Sequence, residues 1–541
     1  VKLLKGIVLG SVLLSAGHAA AEEDTSSEIR MLKTKLKQLE ERVDSKVARV
    51  TAASPAPYTK VPTVVCPDGK ICYKGITLTL GGWVDLTDIY RTRSLASDVG
   101  SVYNAIPLRN NGGFGVQENK FSARTSRFSV LAEGDANPVT HFSGYAEVDF
   151  ESAGSTSNTV TTNSFTERMR QLSFSIDRKD LGFHVLAGQS WSLNAPSKSG
   201  IDPRGVDAPG VIDFESVPGF MAARLPGIRL TQELGSGVQV AIAAENAQTS
   251  FFGGDGANQG NLGSGVATNA ATVGGGTNNG TIVGGTRAAF NTGILIGQTS
   301  PGGGFFNPLT NVSLNRVPDV TAKIAFDPNF GGNRFHFEAW GTYREFYDQV
   351  TPTTGQPGFG TSHSNTTETF AYGGHINMDL VPKTLELQAS VSNGAQGRYS
   401  ASPLPDATLT QDGTIQVIPI FSAQAGLIWH TTPILDLYSY YGLEQAKATF
   451  SNSTNGAFGY GNPLYDNTGC NTPGSANCNG NTSKVQQFTA GYFYTMYQGR
   501  FGAIKLGTEY SYTQRFTFAG VGGAPKTDDH IIMSNFRYYP F

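Results

Sequence analysis

Tight turns and long loops alternate strictly between residues 76 and 541, and few folds other than a membrane-spanning meander impose that rhythm. The tight turns fall at 134–138, 177–181, 235–237, 328–333, 381–383, 431–434 and 498–500, where Gly, Pro, Asn and Asp supply turn chemistry. The long loops between them, 91–120, 151–166, 190–223, 247–317, 347–367, 392–416, 445–484 and 514–528, are rich in Gly, Asn, Ser and Thr. A two-sheet sandwich gives no reason for all the long connections to lie on one side.

The stretches between turn and loop have a period of two. Ile76, Leu78, Leu80, Val84 and Leu86 alternate with Thr77, Thr79, Trp83, Asp85 and Thr87. Each stretch suits a tilted spanning strand of about nine to eleven residues rather than the roughly five or six usual in soluble sheets. About sixteen such stretches follow one another, an even number as bacterial barrels require. The predicted fold is therefore all-β, a transmembrane antiparallel up-and-down barrel of about sixteen strands. The faces opposite the apolar ones carry mixed charge, including Glu147, Asp149, Glu338, Glu444 and Glu509, which calls for a hydrated lumen.

The segments before the barrel read differently. Lys2 and Lys5, the apolar stretch 6–16 and the small residues Ala19, Ala20 and Ala21 make 1–21 a signal peptide. In 22–50 a heptad seam of Ile29, Leu32, Leu36, Leu39 and Val43 predicts a short periplasmic coiled coil and hence an oligomer; the seam leaves strand number open. Residues 51–75 form a Pro-containing linker with a disulfide hairpin. In an oxidising compartment the close pairs Cys66/Cys72 and Cys470/Cys478 read as two local disulfides, since a shared zinc site would need C-x2-C spacing.

Loop 190–223 is long enough either to stand in solvent or to fold inwards as a constriction. It carries Asp202, Arg204, Asp207, Asp213 and Glu215. Arg124, Arg127, Arg168, Arg170 and Arg229 gather on neighbouring strands, with Lys323 and Arg344 further along the wall. Arginines facing a carboxylate loop would set a transverse field and favour anions. Arg168 and Arg170 share the parity of Leu172 and Phe174, so they lie above the apolar band or a bulge turns them inwards.

A net charge of -3 gives a nucleic-acid partner no electrostatic support. No G-x-S-x-G elbow or P-loop occurs, and eight scattered His without ligand spacing give no metal site; His375 reads as a polar wall residue. No cofactor is expected. An outer-membrane enzyme or an adhesin displaying 247–317 are the alternative readings.

The coiled coil, Ser126-Arg127-Phe128-Ser129, Arg168-Met169-Arg170-Gln171, Ala187-Gly188-Gln189-Ser190-Trp191-Ser192 and the ending Arg537-Tyr538-Tyr539-Pro540-Phe541 together resemble the DcaP-like outer-membrane porins over nearly the whole mature chain. The resemblance implies homotrimers of roughly sixteen-stranded barrels, seated among outer-membrane lipid and lipopolysaccharide, with diffusion of small anionic solutes such as dicarboxylates. Phe541 resembles the signal read by the barrel-assembly machinery, although Asn535 and Arg537 depart from that signal's apolar alternation.

Overall fold

The computed structural model describes residues 33–35, 37, 38, 41, 66, 69–95, 97–151, 165–213, 217–252, 271–273, 292–299, 311–328, 333–352, 358–402, 404–410, 412–453 and 456–541. Residues 1–65 and 66–541 form separate units. In the first unit the described residues are helical, while the signal peptide 1–21 and the seam positions Ile29, Leu32, Leu36, Leu39 and Val43 lie outside the described residues.

The second unit is a closed sheet of sixteen antiparallel strands. They are β1 Ile76–Arg91, β2 Arg127–Asn137, β3 Thr140–Asp149, β4 Arg168–Arg178, β5 Phe183–Trp191, β6 Arg224–Gly235, β7 Val238–Glu245 and β8 Asp319–Phe326. The second half is β9 Phe335–Pro352, β10 His363–Val381, β11 Leu385–Gly394, β12 Ile420–Thr432, β13 Leu435–Ala446, β14 Thr482–Gly499, β15 Gly502–Thr517 and β16 Lys526–Tyr539. Each pairs with its sequence neighbour, and β16 returns to β1 with Val84 opposite Tyr538 and Arg91 opposite Ile531. Closure leaves no edge in the hydrocarbon, where an unpaired backbone group has no water to turn to.

The outer face is apolar. Leu172, Phe174, Phe370, Tyr372 and Trp429 are each more than half exposed on the isolated barrel. A typical soluble monomer tolerates a largest apolar patch of about 300–600 Å²; a face of this kind all round a barrel belongs in lipid. Successive residues on β16 show the alternation: Ile532 and Phe536 point out, Ile531, Met533, Asn535 and Arg537 point in. Asn535 and Arg537 are thus the lumen half of a regular pattern, which is the physical reason that the chain's ending departs from an apolar alternation there.

Two features differ from the period-two expectation. β9 and β10 run to 18 and 19 residues and remain paired up to Val350 opposite His363, so much of 347–367 is ladder rather than loop. Thr366, Thr367 and Thr369 are β-branched and continue the alternation beyond the apolar band. Short hairpins also form at the end of 392–416, between Ala407–Leu409 and Ile415–Val417, which runs one residue beyond it, and within 445–484, between Thr449–Ser453 and Gly456–Tyr460.

Both disulfides are present, Cys66–Cys72 beside the first turn into β1 and Cys470–Cys478 in the last long loop but one. The latter loop is hydrogen-bonded to Asn110, whose own loop packs Val99, Tyr103 and Ile106 onto the lumen-facing Ile89, Ile531 and Met533. On its β2 side, β1 is shared: Thr77 to Trp83 pair with β2, and Thr87 to Arg91 pair with the short strand Glu118–Ser122. Ser126 fills the gap, its Oγ accepting from Asp85 N–H at 3.0 Å and donating to Asp85 O at 3.3 Å.

Candidate functional site

The long segment between β5 and β6 folds into the lumen. With little secondary structure of its own, it carries backbone N–H groups that must find partners once water is excluded, and the barrel wall supplies them. Glu245 on β7 accepts from Ser192 Oγ at 2.6 Å and Leu193 N–H at 2.7 Å. Glu338 on β9 accepts from Ser197 N–H at 3.0 Å, Asp327 from Gly200 N–H at 2.6 Å, and Gln239 on β7 from Ile201 N–H at 2.6 Å. Further round the wall, Tyr440 Oη accepts from Gly210, Glu509 on β15 from Ile212 and Glu444 on β13 from Gly219, at 2.9, 2.7 and 2.8 Å. Wall side chains, carboxylates chief among them, thus hold the segment by its main chain.

Asp207 belongs to the same attachment. Its carboxylate accepts from Asn377 at 2.6 Å and Gln388 at 2.8 Å and lies 2.7 Å from His375. Lys323 is buried against Glu338 at 2.9 Å and donates to Ala195 O at 2.7 Å. Arg344 is buried among Asp319, Asp406 and the Ala395 carbonyl, where it fixes the start of the loop after β11. Asp207, Lys323 and Arg344, expected as pore-lining charges, are therefore buried in attachments of loop to wall.

The wall from β2 to β6 faces the other way. Arg170 binds Glu147 at 2.7 Å and Asp149 at 2.8 Å, Arg168 binds Asp149 and Glu151 at 2.6 Å each, and Arg127 lies 3.8 Å from Glu147 and over the Trp83 ring at 4.2 Å. Asp85 takes Arg537 at 2.7 Å and Asn535 at 2.6 Å. Of the arginines expected to face loop carboxylates, Arg127, Arg168 and Arg170 thus have carboxylates of β3 and its end as close partners, and Arg124 has Asp98 at 3.1 Å. Asp213 does approach this group, bordering a small cavity with Trp83, Arg127 and Asp149.

The parity of Arg170 is settled by a β-bulge. Gln171 pairs with Glu147 and Met169 with Val148, leaving Arg170 as the extra residue. Arg170 and Gln171 consequently both point inwards, at 1% and 2% exposure, while Met169 and Leu172 face lipid.

Below this group, towards the tight turns, an open cavity of about 900 Å³ lies between the wall of β3 to β6 and residues 199–204 of the inward segment. Arg204 and Arg229 border it. Sequence reasoning finds these two cations but not the anchoring role of Glu245, Glu444 and Glu509, because a glutamate that holds a distant backbone N–H looks like any other wall carboxylate. Phe541 stands beyond the end of β16, exposed.

No protein-family model matches the chain, and no curated protein does. Among solved structures, it is similar to an anion-selective porin from Comamonas acidovorans, at 10% identity and a TM-score of 0.42 over 86% of this chain and 99% of that one. It is also similar to the outer membrane channel DcaP of Acinetobacter baumannii, at 17% identity and a TM-score of 0.53, covering 86% of this chain and 99% of that chain. Identity of that order speaks for architecture alone, and on that footing the chain has the fold of a DcaP-like outer-membrane barrel.

Proposed function

We propose that the protein is an outer-membrane channel through which small hydrophilic solutes diffuse passively, with small anions, dicarboxylates among them, favoured. The observation that carries this reading is a lipid-facing barrel enclosing a charged wall, with the inward segment held against one side and a roughly 900 Å³ cavity against the other. Such a lumen needs water, and water that traverses it carries solutes. The solved structure of similar fold is that of an outer membrane channel. Anion preference rests on Arg204 and Arg229 beside the cavity and on the Arg127, Arg168 and Arg170 group. Glu147, Asp149 and Glu151 oppose that group, so the preference is modest. No bond-making chemistry is needed for this role, and we read the chain as non-enzymatic.

The same proposal puts the tight turns on the periplasmic side with the coiled coil of 22–50, makes the working unit a homotrimer, and assigns Phe541 to recognition by the barrel-assembly machinery. Reversal potential in a planar bilayer under a salt gradient is the test. Stepwise conductance with an anion-selective potential is expected; a cation-selective potential removes the anion reading, and absence of conductance removes the channel. An unheated gel is expected to show a trimer band that is lost on deleting residues 28–50. A trimer that survives the deletion assigns assembly to the barrel instead.

A further inference from the structure

Arg229 differs from every other cation bordering the cavity at the tight-turn end. Lys179 lies 2.8 Å from Asp135, Arg204 lies 4.0 Å from Asp202, and Arg334 lies 3.2 Å from Asp379. Arg229 is 5% exposed, and among the described residues no carboxylate oxygen stands within 4.0 Å of it. Its Nη2 donates to Trp191 O at 2.5 Å and its Nε is buried without a partner. A guanidinium cannot shed its proton to escape this situation. A buried cation whose carboxylate neighbours Glu245, Asp202 and Glu338 act on it only from beyond 4.0 Å is a place where an anion arriving in direct contact gains more than it would in water.

The rest of the lining restricts which anion. Ser143, Ser173, Ser175 and Thr231 present hydroxyls on the wall beside Arg229; Ser143 and Ser175 bond each other at 2.7 Å. Hydroxyls both donate and accept, so such a wall exchanges hydrogen bonds with a polyol as readily as with water. The carboxylates of Asp177, Asp202, Glu233 and Asp327 border the same space. A solute with one carboxylate can turn it to Arg229 and its hydroxyls to the serines. A solute with two must bring the second among like charges.

We infer that this cavity is a binding subsite for small polyhydroxylated monocarboxylates, with the carboxylate on Arg229 and the hydroxyls on Ser143, Ser173, Ser175 and Thr231. The inference rests on the channel reading and concerns retention at this one cavity: a dicarboxylate that the channel admits is not held here. A cavity of about 900 Å³ accommodates a six-carbon hydroxy acid with its water.

The test adds D-gluconate, adipate or hexanoate to the turn side of the full-length protein in a planar bilayer and records interruption of the ionic current. Gluconate is expected to interrupt it at the lowest concentration. Charged hydrogen bonds of the usual strength predict at least about a tenfold loss of apparent affinity in Arg229→Gln. Ser173→Ala, which leaves the buried charge untouched, is expected to weaken gluconate about threefold and leave adipate unchanged. Equal interruption by adipate, or an unchanged gluconate response in both variants, overturns the proposal. Calorimetric titration of gluconate onto the detergent-purified protein separates the two readings. Binding without conductance removes the channel and keeps the subsite, whereas conductance without binding does the reverse.

Discussion

On β7, β9, β13 and β15 the carboxylates of Glu245, Glu338, Glu444 and Glu509 end on backbone N–H groups of the inward segment. On β3, by contrast, Glu147 and Asp149 end on guanidinium groups of the neighbouring strand β4. The residue types are the same and their positions along the wall are similar, yet one side holds the segment while the other leaves room for the cavity. The free volume beside β3 to β6 therefore lies off-centre, and a charge in the lumen says little about a pore until its partner is known.

The comparison is most easily broken at Glu338. Glu338→Ala strips Lys323 of its carboxylate in a buried site, and removing one partner of such a pair costs about 3–5 kcal/mol. Thermal unfolding in detergent is expected to show that loss, together with a larger single-channel conductance as the segment loosens. An unchanged melting temperature would mean that Lys323 finds water. Glu444→Ala and Glu509→Ala each orphan one buried N–H, at about 1–3 kcal/mol. Here the discriminating reading is current noise, which rises if the segment is held at these points and stays at the parental level if it is not.

On the opposite side, Arg170→Gln removes one cation from the group around Glu147 and Asp149. The reversal potential is expected to move towards cation preference by a few millivolts, following the order of the local charge change; no movement would exclude the group from the ion path. The smallest global effect belongs to reduction of Cys470–Cys478. That bridge constrains a short loop, worth at most about 3 kcal/mol locally, and the closed ladder melts independently of it. Faster proteolysis within 461–481 at an unchanged barrel melting temperature is expected.

The barrel is largely legible in the sequence because its determinants are local. Alternation decides which residues meet lipid, and Gly, Pro and Asn chemistry decides where the chain reverses. Both cysteine pairs are likewise short-range. Local information also narrows Arg170 to a bulge or a position above the apolar band, and only the pairing with β3 selects the bulge. The fate of residues 192–223 is different in kind. Ile212 meets Glu509 297 residues further along the chain and Gly219 meets Glu444 225 residues further along, separations at which periodicity carries no information. Lys323 and Arg344 look like lumen charges for the same reason: parity reports the face of a strand, not whether another segment covers it. The coiled-coil seam lies outside the described residues.

Where the wall grips a peptide group, the hydrogen bond itself is indifferent to the side chain at that position, although Ser192 and Asp207 are held by their side chains. Every residue except proline offers the same N–H. At Ser197 the bond does not depend on the side chain, whereas Leu193 and Ile201 also pack into a buried cluster with Ala241, Ala243 and Ala325 and hold the segment by their side chains as well. Proline, which has no N–H, is the substitution that would break such a bond at any anchored position.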